Sequence, residues 1–286
     1  MTMIQVSDLS LTYPGTRDPA VDGISFEVGQ GEIFGFLGPS GAGKSTTQRV
    51  LCKLLQHWSG SATVMDRSLT AWGQDYFAHV GVSFELPNHY LQLTARENLK
   101  LFANLYPQDV TRSEDLLAVV DLTADADTRV GQFSKGMMQR LSFVRAFQHE
   151  PRLVFLDEPT AGLDPVNARR ITDHLQTLRA DGCTIFLTTH DMHIADLLCD
   201  RVAFMVQGRL ALIDTPRNLR LAQGRKQVQV EYRTREGRRQ ELFDLDGIGG
   251  NERFAELLRS EEIETIHTQE ATLEDIFIRT TGEQLL

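Results

Sequence analysis

A stretch of nine residues, GPSGAGKST at positions 38–46, constrains the fold of this 286-residue chain more than any other feature. It fits the pattern G-x-x-x-x-G-K-[ST] at every defined position. The apolar run EIFGFL comes directly before it, and TTQRVLCKLLQ, which has helical periodicity, follows. A glycine-rich turn between a buried strand and a helix presents backbone N–H groups that bind phosphate. The sequence therefore predicts a phosphate-binding loop in an α/β fold.

The residues of this loop have separate predicted tasks. The glycines allow the backbone to bend so that its amides point inward at phosphate oxygens. Lys44 is expected to reach the β- and γ-phosphates, and the Ser45 hydroxyl to bind Mg²⁺. We predict nucleotide binding by the whole loop, which consists of Gly38, Pro39, Ser40, Gly41, Ala42, Gly43, Lys44, Ser45 and Thr46.

A pair of acidic residues follows a second apolar run. LVFLDE ends in Asp157 and Glu158. A buried strand delivers the residue at its end to the carboxyl edge of the sheet, where α/β proteins bind ligands. We therefore expect Asp157 to hold hydrated Mg²⁺ and Glu158 to polarise the attacking water. Two acids after a strand are also typical of a helix N-cap, and the phosphate loop favours the metal-binding interpretation.

Strand and helix patterns alternate along most of the chain. The apolar runs RLVFLDE and CTIFLTTH flank a helical stretch, which predicts a parallel sheet covered on both faces. Capping boxes, Thr94 with Glu97 and Thr111 with Glu114, predict two further helices. We expect a nucleotide-binding domain over residues 1–220.

The pattern changes after about residue 220. VQVEYRT alternates before a turn at Glu236-Gly237, ELFDL follows as a returning strand, and NERFAELLRS, IETIHT and TLEDIFIRTT read as helix, strand and helix. This order predicts a small α+β accessory domain over 221–286. The arginines of the hairpin are expected to form a solvated face, with a specific anion site as the alternative; they are Arg233, Arg235, Arg238 and Arg239.

Composition and charge narrow the class of protein. Twenty-nine basic and thirty-nine acidic residues give a formal net charge of −10, whereas nucleic-acid-binding proteins usually carry a basic excess. The cysteines, Cys52, Cys183 and Cys199, lack metal-ligand spacing. No stretch approaches the roughly 18 apolar residues of a membrane span, and the N-terminus has no secretory pattern. We expect a cytoplasmic chain that does not bind nucleic acid.

Two further segments carry a family resemblance. FSKGMMQRLSFVRAF, from residue 133, comes just before LVFLDE, and AGLD, which ends at Asp164, follows it. With the two phosphate-site motifs, this order resembles the nucleotide-binding subunits of ABC transporters over about residues 3–220. The resemblance implies a P-loop NTPase core of the ABC type with a helical signature subdomain. The segment TLEDIFIRTTG is similar to the tail of exporter ATPases whose permease is a separate chain.

The resemblance assigns residues to a dimer interface. The signature segment matches the family at Ser134 and Gly136, and departs from the common Leu-Ser-Gly-Gly-Gln at three other positions, which are Phe133, Lys135 and Met137. The match implies that Ser134 and Gly136 bind the γ-phosphate of ATP held by the other subunit of a homodimer. Asp164, in the segment that matches the D-loop, is expected at the same interface.

Three other expected roles come from the resemblance. His190, after TIFLTT, matches the histidine that contacts the γ-phosphate, although a histidine at a strand end is often only a locally satisfied polar residue. Tyr13 matches the aromatic residue that stacks on adenine. Glu85 stands where the family usually has a glutamine. A carboxylate there can still bind Mg²⁺, but it donates no hydrogen bond when ionised.

The resemblance implies ATP hydrolysis coupled to transport, with Lys44, Glu158 and His190 as catalytic residues. Two copies would bind two Mg²⁺–ATP between them and drive an integral-membrane permease from the cytoplasmic face of the membrane. The 85–94 loop, whose apolar residues include Leu86, Pro87, Tyr90 and Leu91, is the candidate permease contact. The alternative is an ordinary loop of the helical subdomain with incidental apolar residues.

Two other functional classes stay open at this point. A soluble ABC-type ATPase that acts on ribosomes or DNA would resemble two fused cassettes or contain long coiled-coil insertions, and the sequence shows neither. A P-loop kinase would need an acceptor site, and a GTPase would contain N-K-x-D, which is absent. We therefore expect a transporter ATPase, with export favoured by the C-terminal tail.

Overall fold

The computed structural model describes residues 1–106, 113–223, 227–234, 237–269 and 271–283. These residues form two compact units, Met1–Asp214 and Thr215–Glu283. The predicted cap at Thr111, the turn residue Glu236 and Arg235 lie outside the described residues.

In the first unit, the described residues form two sheets and six α-helices. Its strands are β1 (Thr2–Leu11), β2 (Val21–Gly29), β3 (Ile33–Leu37), β4 (Ser59–Val64), β5 (Arg67–Ser68), β6 (Val80–Ser83), β7 (Leu153–Asp157), β8 (Thr184–Thr189), β9 (Arg201–Val206) and β10 (Arg209–Asp214). Its helices are α1 (Lys44–Leu51), α2 (Ala95–Ala103), α3 (Ser113–Val119), α4 (Lys135–Arg145), α5 (Pro165–Ala180) and α6 (Met192–Leu198).

The central sheet has the strand order β10-β9-β3-β8-β7-β6. Strands β9 to β6 are parallel, and β10 pairs with β9 in the antiparallel sense. Every residue of β3, β7 and β8 is buried, as continuous apolar runs require in a parallel sheet. The predicted parallel sheet is therefore confirmed.

The second sheet of this unit is antiparallel, with the order β2-β1-β4-β5. Phe26 of β2 packs against three rings of the central sheet, Phe34, Phe36 and Phe186, at centroid separations of 5.9, 4.9 and 6.1 Å. The strand patterns at the N-terminus predict β1 and β2, but the alternation alone does not show that they form a sheet of their own.

Helices α2, α3 and α4 pack against one another and form the helical subdomain that the resemblance implied. The predicted capping box of α2 is present, because Thr94 Oγ1 accepts from the Glu97 N–H and a Glu97 carboxylate oxygen accepts from the Thr94 N–H. These two bonds satisfy N–H groups that a helix leaves without intrahelical partners.

The second unit is a small α+β domain, as predicted. It contains α7 (Pro216–Gln223), β11 (Gln227–Thr234), β12 (Gly237–Asp244), α8 (Glu252–Ser260), β13 (Glu262–Gln269) and α9 (Leu273–Thr281). Its antiparallel sheet has the order β12-β11-β13. One apolar cluster of this unit consists of Val228, Val230, Tyr232, Phe243 and Leu257. The described arginines of the hairpin, Arg233, Arg238 and Arg239, are exposed as expected.

The division between the units differs from the predicted boundary after residue 220, which falls inside α7. Helix α7 contacts α9 and therefore belongs to the second unit. The change of residue pattern that predicted the boundary comes near the end of α7. The predicted boundary therefore lies several residues after the start of the second unit. Within the described part of the chain, every helix is too short or too polar to span a bilayer.

Candidate functional site

Parallel pairing brings three chain segments to one edge of the central sheet. Leu37, at the end of β3, lies opposite Thr189 of β8, and Asp157 of β7 lies opposite Thr188. The glycine-rich loop, the two acidic residues and His190 therefore follow neighbouring strands at the same carboxyl edge, where α/β proteins bind ligands.

The loop between β3 and α1 bends at glycines. Gly38, Gly41 and Gly43 have φ angles of 154°, 82° and 108°, which residues with a Cβ rarely adopt. A Cβ on Gly38 would lie 2.1 Å from the carbonyl oxygen of Met205, and one on Gly43 would lie 2.4 Å from that of Ala20. The two positions therefore require glycine for space as well as for conformation.

Lys44, the first residue of α1, is buried and turns back over the loop. Its Nζ donates to the carbonyl oxygens of Gly38 at 2.7 Å and Pro39 at 3.0 Å. Burial lowers the pKa of Lys44, while the negative charges of three carboxylates, that of Glu158 foremost, raise it in part. A buried ammonium group held by carbonyl oxygens can exchange them for phosphate oxygens, because the anion is the stronger acceptor.

Asp157 is buried at the end of β7 and is held by two hydroxyl groups. Ser45 Oγ donates to Asp157 Oδ1 over 3.2 Å, and Thr188 Oγ1 donates to the same oxygen. Mg²⁺ in proteins is usually bound by one or two carboxylates, with water and substrate phosphate as its other ligands. Among the described residues, no group of three or more His, Cys, Asp or Glu is arranged to hold a metal. The Ser45 hydroxyl and the Asp157 carboxylate, which lie within hydrogen-bond distance of each other, are oxygen ligands of the kind that a magnesium ion bound with a phosphate uses.

Glu158 follows Asp157 and adopts a left-handed conformation with φ 49°, which is uncommon outside glycine. Its Oε1 accepts from the backbone N–H of His190 at 2.9 Å and lies 2.7 Å from Nδ1 of the same residue. Its Oε2 accepts from Thr189 Oγ1 at 3.0 Å. The structure therefore joins Glu158 and His190, which the sequence predicted as two separate catalytic residues.

Two other predicted residues lie near the loop. The hydroxyl of Tyr13, which is half-buried, is 3.2 Å from Thr46 Oγ1. Glu85 follows β6 and is exposed, and its negative charge is one of those that raise the pKa of Lys44. The structure places both side chains within reach of the glycine-rich loop and leaves their roles with a ligand as predictions.

The residues predicted for a dimer interface lie at the starts of two helices. Ser134 caps α4, where its Oγ accepts from the Met137 N–H at 3.2 Å. Asp164 caps α5, and hydrogen bonds from Asn167 lower the pKa of its carboxyl. Among the described residues, no hydrogen bond joins these caps to the glycine-rich loop of the same chain. A Cβ on Gly136 would meet Leu163 at 3.5 Å, so the two helix starts are neighbours.

Thr188 and Thr189 are site residues that the sequence analysis did not assign. Their hydroxyl groups orient Asp157 and Glu158, respectively. The signal that could have found them is the pair of threonines that ends the apolar run TIFL, since a polar residue at the carboxyl end of a buried strand lies at the ligand-binding edge. Which carboxylate each hydroxyl contacts depends on the strand register and could not be read from the sequence.

Comparison with known proteins decides the family. A model described as "ABC transporter" matches residues 21–161, and one described as "Fluoroquinolone efflux ABC transporter C-terminal domain" matches residues 226–270. Proteins named "Fluoroquinolones export ATP-binding protein" from two Mycobacterium tuberculosis strains are 53% identical over 284 residues, which is 99% of this chain and 94% of theirs. The chain belongs to the ABC transporter ATP-binding proteins. A "Nod factor export ATP-binding protein I" from Rhizobium sp. (strain N33) is 39% identical over 70% of this ABC protein and 67% of its own length.

Solved structures agree with this assignment. The ABC protein resembles an "ATP binding subunit of ABC transporter" with a TM-score of 0.71 and 30% identity, over 77% of this chain and 92% of that one. It shares the fold of a dimeric ATP-binding cassette bound to ADP and Pi, with a TM-score of 0.69 and 24% identity, over 74% of this chain and 98% of that one.

The chain is therefore an ABC-type ATPase, the ATP-binding subunit of an ABC transporter, and its fold is the α/β cassette that the resemblance implied. The alternatives of a ribosome- or DNA-directed ATPase, a kinase or a GTPase are not favoured.

Proposed function

We propose that this ABC ATPase drives the export of fluoroquinolones through a separate integral-membrane permease, from the cytoplasmic face of the membrane. The support is the 53% identity to fluoroquinolone export ATP-binding proteins over 99% of the chain. A second support is the match of residues 226–270 to the C-terminal domain of a fluoroquinolone efflux transporter. A membrane partner is supported by the relatives that are named as export proteins. It is also supported by the segment TLEDIFIRTTG, which is similar to the tail of exporter ATPases whose permease is a separate chain.

The arrangement of Ser45, Asp157 and Lys44 beside the glycine-rich loop supports Mg²⁺–ATP as the ligand. The backbone amides of residues 38–46 bind the triphosphate, and Lys44 exchanges its carbonyl partners for β- and γ-phosphate oxygens. Ser45 and Asp157 hold the metal, with Glu85 as a further ligand or as a partner of a metal-bound water. Bound Mg²⁺ neutralises charge on the phosphoryl oxygens.

The contact between Glu158 and the end of β8 is the observation that carries the hydrolytic mechanism. Thr189 and His190 donate to both oxygens of the Glu158 carboxylate and fix its direction. An ionised carboxylate accepts hydrogen bonds only, so Glu158 is suited to orient the attacking water and accept its proton. The side chain of His190 is 59% exposed and contacts the γ-phosphate in this proposal.

The signature segment contributes to the ATP site of a second copy of the chain. The Ser134 hydroxyl accepts from the Met137 N–H, and a hydroxyl that accepts can still donate its own hydrogen. Ser134 and the Gly136 amide, at the N-terminus of the 11-residue helix α4, therefore suit an anion. In the homodimer they bind the γ-phosphate of the partner's ATP, Asp164 lies at the interface, and Tyr13 stacks on adenine.

Purification from detergent-solubilised membranes tests the proposal. The tagged chain should bring an integral-membrane protein with it, and the reconstituted complex should move a fluoroquinolone across vesicles only with ATP. Lys44→Ala should abolish both hydrolysis and transport, because the buried cation facing the triphosphate is lost. Absence of any membrane partner would contradict the transport role. A complex that hydrolyses ATP but moves no fluoroquinolone would contradict the substrate.

A further inference from the structure

The 85–94 loop is attached to helix α4 by side chains from both elements. His89 Nε2 lies 2.9 Å from the carbonyl oxygen of Met138, in the first half of α4. Arg145, the last residue of α4, donates from Nη1 to the carbonyl oxygen of Asn88, and the same Nη1 lies 3.4 Å from His89 Nδ1. Both halves of the helix therefore contact His89, and the second half also contacts Asn88.

The geometry fixes where the proton of His89 lies. A guanidinium group only donates, so Nδ1 of His89 accepts from Arg145. A neutral imidazole with an accepting Nδ1 carries its hydrogen on Nε2, which therefore donates to the Met138 carbonyl oxygen. Burial lowers the pKa of His89 to about 4, and the positive charge of Arg145 acts in the same direction. His89 is thus a neutral bridge with both ring nitrogens engaged.

Neighbouring contacts make this attachment stiff. Ser83, at the end of β6, has its buried hydroxyl 3.4 Å from that of Ser142 in α4. The guanidinium carbon of Arg145 lies 4.3 Å from the centroid of the Phe102 ring in α2. The chain on the N-terminal side of His89 is therefore also held against α4, and α4 is held against α2.

Helix α4 carries Ser134 at its start. The N–H of Met138 donates to the carbonyl oxygen of Ser134, so the carbonyl group that His89 contacts lies one helical turn after the signature serine. The same loop exposes large apolar side chains: Leu86 is 76% exposed and Tyr90 57%. A continuous series of contacts therefore joins an exposed apolar surface to Ser134.

We infer that His89 is a positioning residue that transmits movement of the 85–94 loop to Ser134 through α4. The inference rests on the proposed function for the presence of a permease, and on the sequence analysis for the 85–94 loop as its contact. Loss of the His89 bridge leaves the glycine-rich loop, Asp157 and Glu158 intact. It weakens the effect of the permease on ATP hydrolysis more strongly than it lowers the hydrolysis rate of the isolated chain.

Three substitutions distinguish the effect of the His89 hydrogen bonds from the effect of its packing. His89→Ala removes both hydrogen bonds. In His89→Gln the amide nitrogen reaches the position of Nε2 and can donate to the Met138 carbonyl oxygen, whereas the shorter His89→Asn cannot reach it. We expect the alanine and asparagine variants to lose about fivefold or more of the permease-dependent change in ATP hydrolysis. Glutamine should restore most of it. Equal behaviour of all three variants and the wild type would overturn the inference.

Hydrogen–deuterium exchange of the full-length isolated chain gives a second measurement. His89→Ala should raise amide exchange both in the 85–94 loop and in the first turns of α4, and His89→Gln should raise it less. Unchanged amide exchange in both segments would show that His89 does not hold the loop against α4, which overturns the inference. If His89→Ala raises amide exchange but the permease changes ATP hydrolysis as it does in the wild type, His89 does not transmit movement of the loop to Ser134, and the inference is overturned. A wild-type complex that fails to move fluoroquinolones contradicts only the proposed substrate, since neither measurement uses the drug.

Discussion

The carboxylates at the carboxyl edge of the central sheet and those in the sheet of the second unit have different partners in this ABC ATPase. At the carboxyl edge of the central sheet, Asp157 and Glu158 accept hydrogen bonds from hydroxyl groups, a backbone amide and an imidazole. In the sheet of the second unit, Glu264 is paired with Arg233 and Arg238. The first arrangement leaves negative charge available to a cation, whereas the second neutralises it within the fold.

The same contrast holds for a second carboxylate of the small domain. Glu241 accepts from Arg253 and from the hydroxyl of Tyr232, and hydrogen bonds from these two groups lower the pKa of its carboxyl. Carboxylates with arginine partners are typical of surface structure and contribute little to stability. Carboxylates that are oriented by neutral donors at a ligand-binding edge are typical of a functional site. The partners, more than the carboxylates themselves, distinguish the two regions.

The largest effect is expected at Glu158. Glu158→Gln keeps the shape of the side chain but removes its basicity, so hydrolysis should fall by a factor of about 10²–10⁴ while ATP binding persists. A dimer should then accumulate with Mg²⁺–ATP and be visible by sedimentation. Glu264→Gln, the same change in the other region, should leave hydrolysis unaltered. Normal turnover in Glu158→Gln, or only monomer at saturating ATP, would contradict the assignment.

Much of the candidate site at the carboxyl edge could be predicted because local sequence determines it. The glycine-rich loop and the two acids that end LVFLDE are contiguous patterns, and parallel strands bring such patterns to one edge whatever their order. Capping boxes are equally local, which is why the box at Thr94 was found.

Contacts between distant segments could not be predicted. The bond from Thr188 to Asp157 depends on the register of β7 and β8, and the bridge from His89 to Met138 joins residues 49 positions apart. The left-handed conformation of Glu158 has no signal in its side chain type. Register, packing and strain of this kind are set by the whole fold rather than by the spacing of residues along the chain.

A smaller effect is expected at Glu85, which is exposed near the site and raises the pKa of Lys44 by its charge. Glu85→Gln removes one negative charge with little change in shape. Since oxygen anions are favoured ligands of Mg²⁺, the variant should need a higher concentration of free Mg²⁺ for half-maximal hydrolysis at saturating ATP, with ATP binding largely retained. Glu264→Gln makes the same change of net charge and should leave the titration unchanged. Superimposable curves for Glu85→Gln and the wild type would mean that Glu85 does not sense the metal.

The smallest effect is expected from removing the second unit altogether. A chain that ends at Asp214 keeps β10 and every residue of the glycine-rich loop, and the apolar cluster under the two sheets of the first unit draws on residues before Asp214 alone. The core around Val230 and Leu257 belongs to the second unit. We therefore expect the truncated chain to bind ATP with unchanged affinity in a titration with a fluorescent ATP analogue. Lys44→Ala in the full-length chain is the control that shows the titration detects a loss. A soluble truncated chain with native circular dichroism and no ATP binding would show that ATP binding requires the second unit, and the contrast between the two regions would fail.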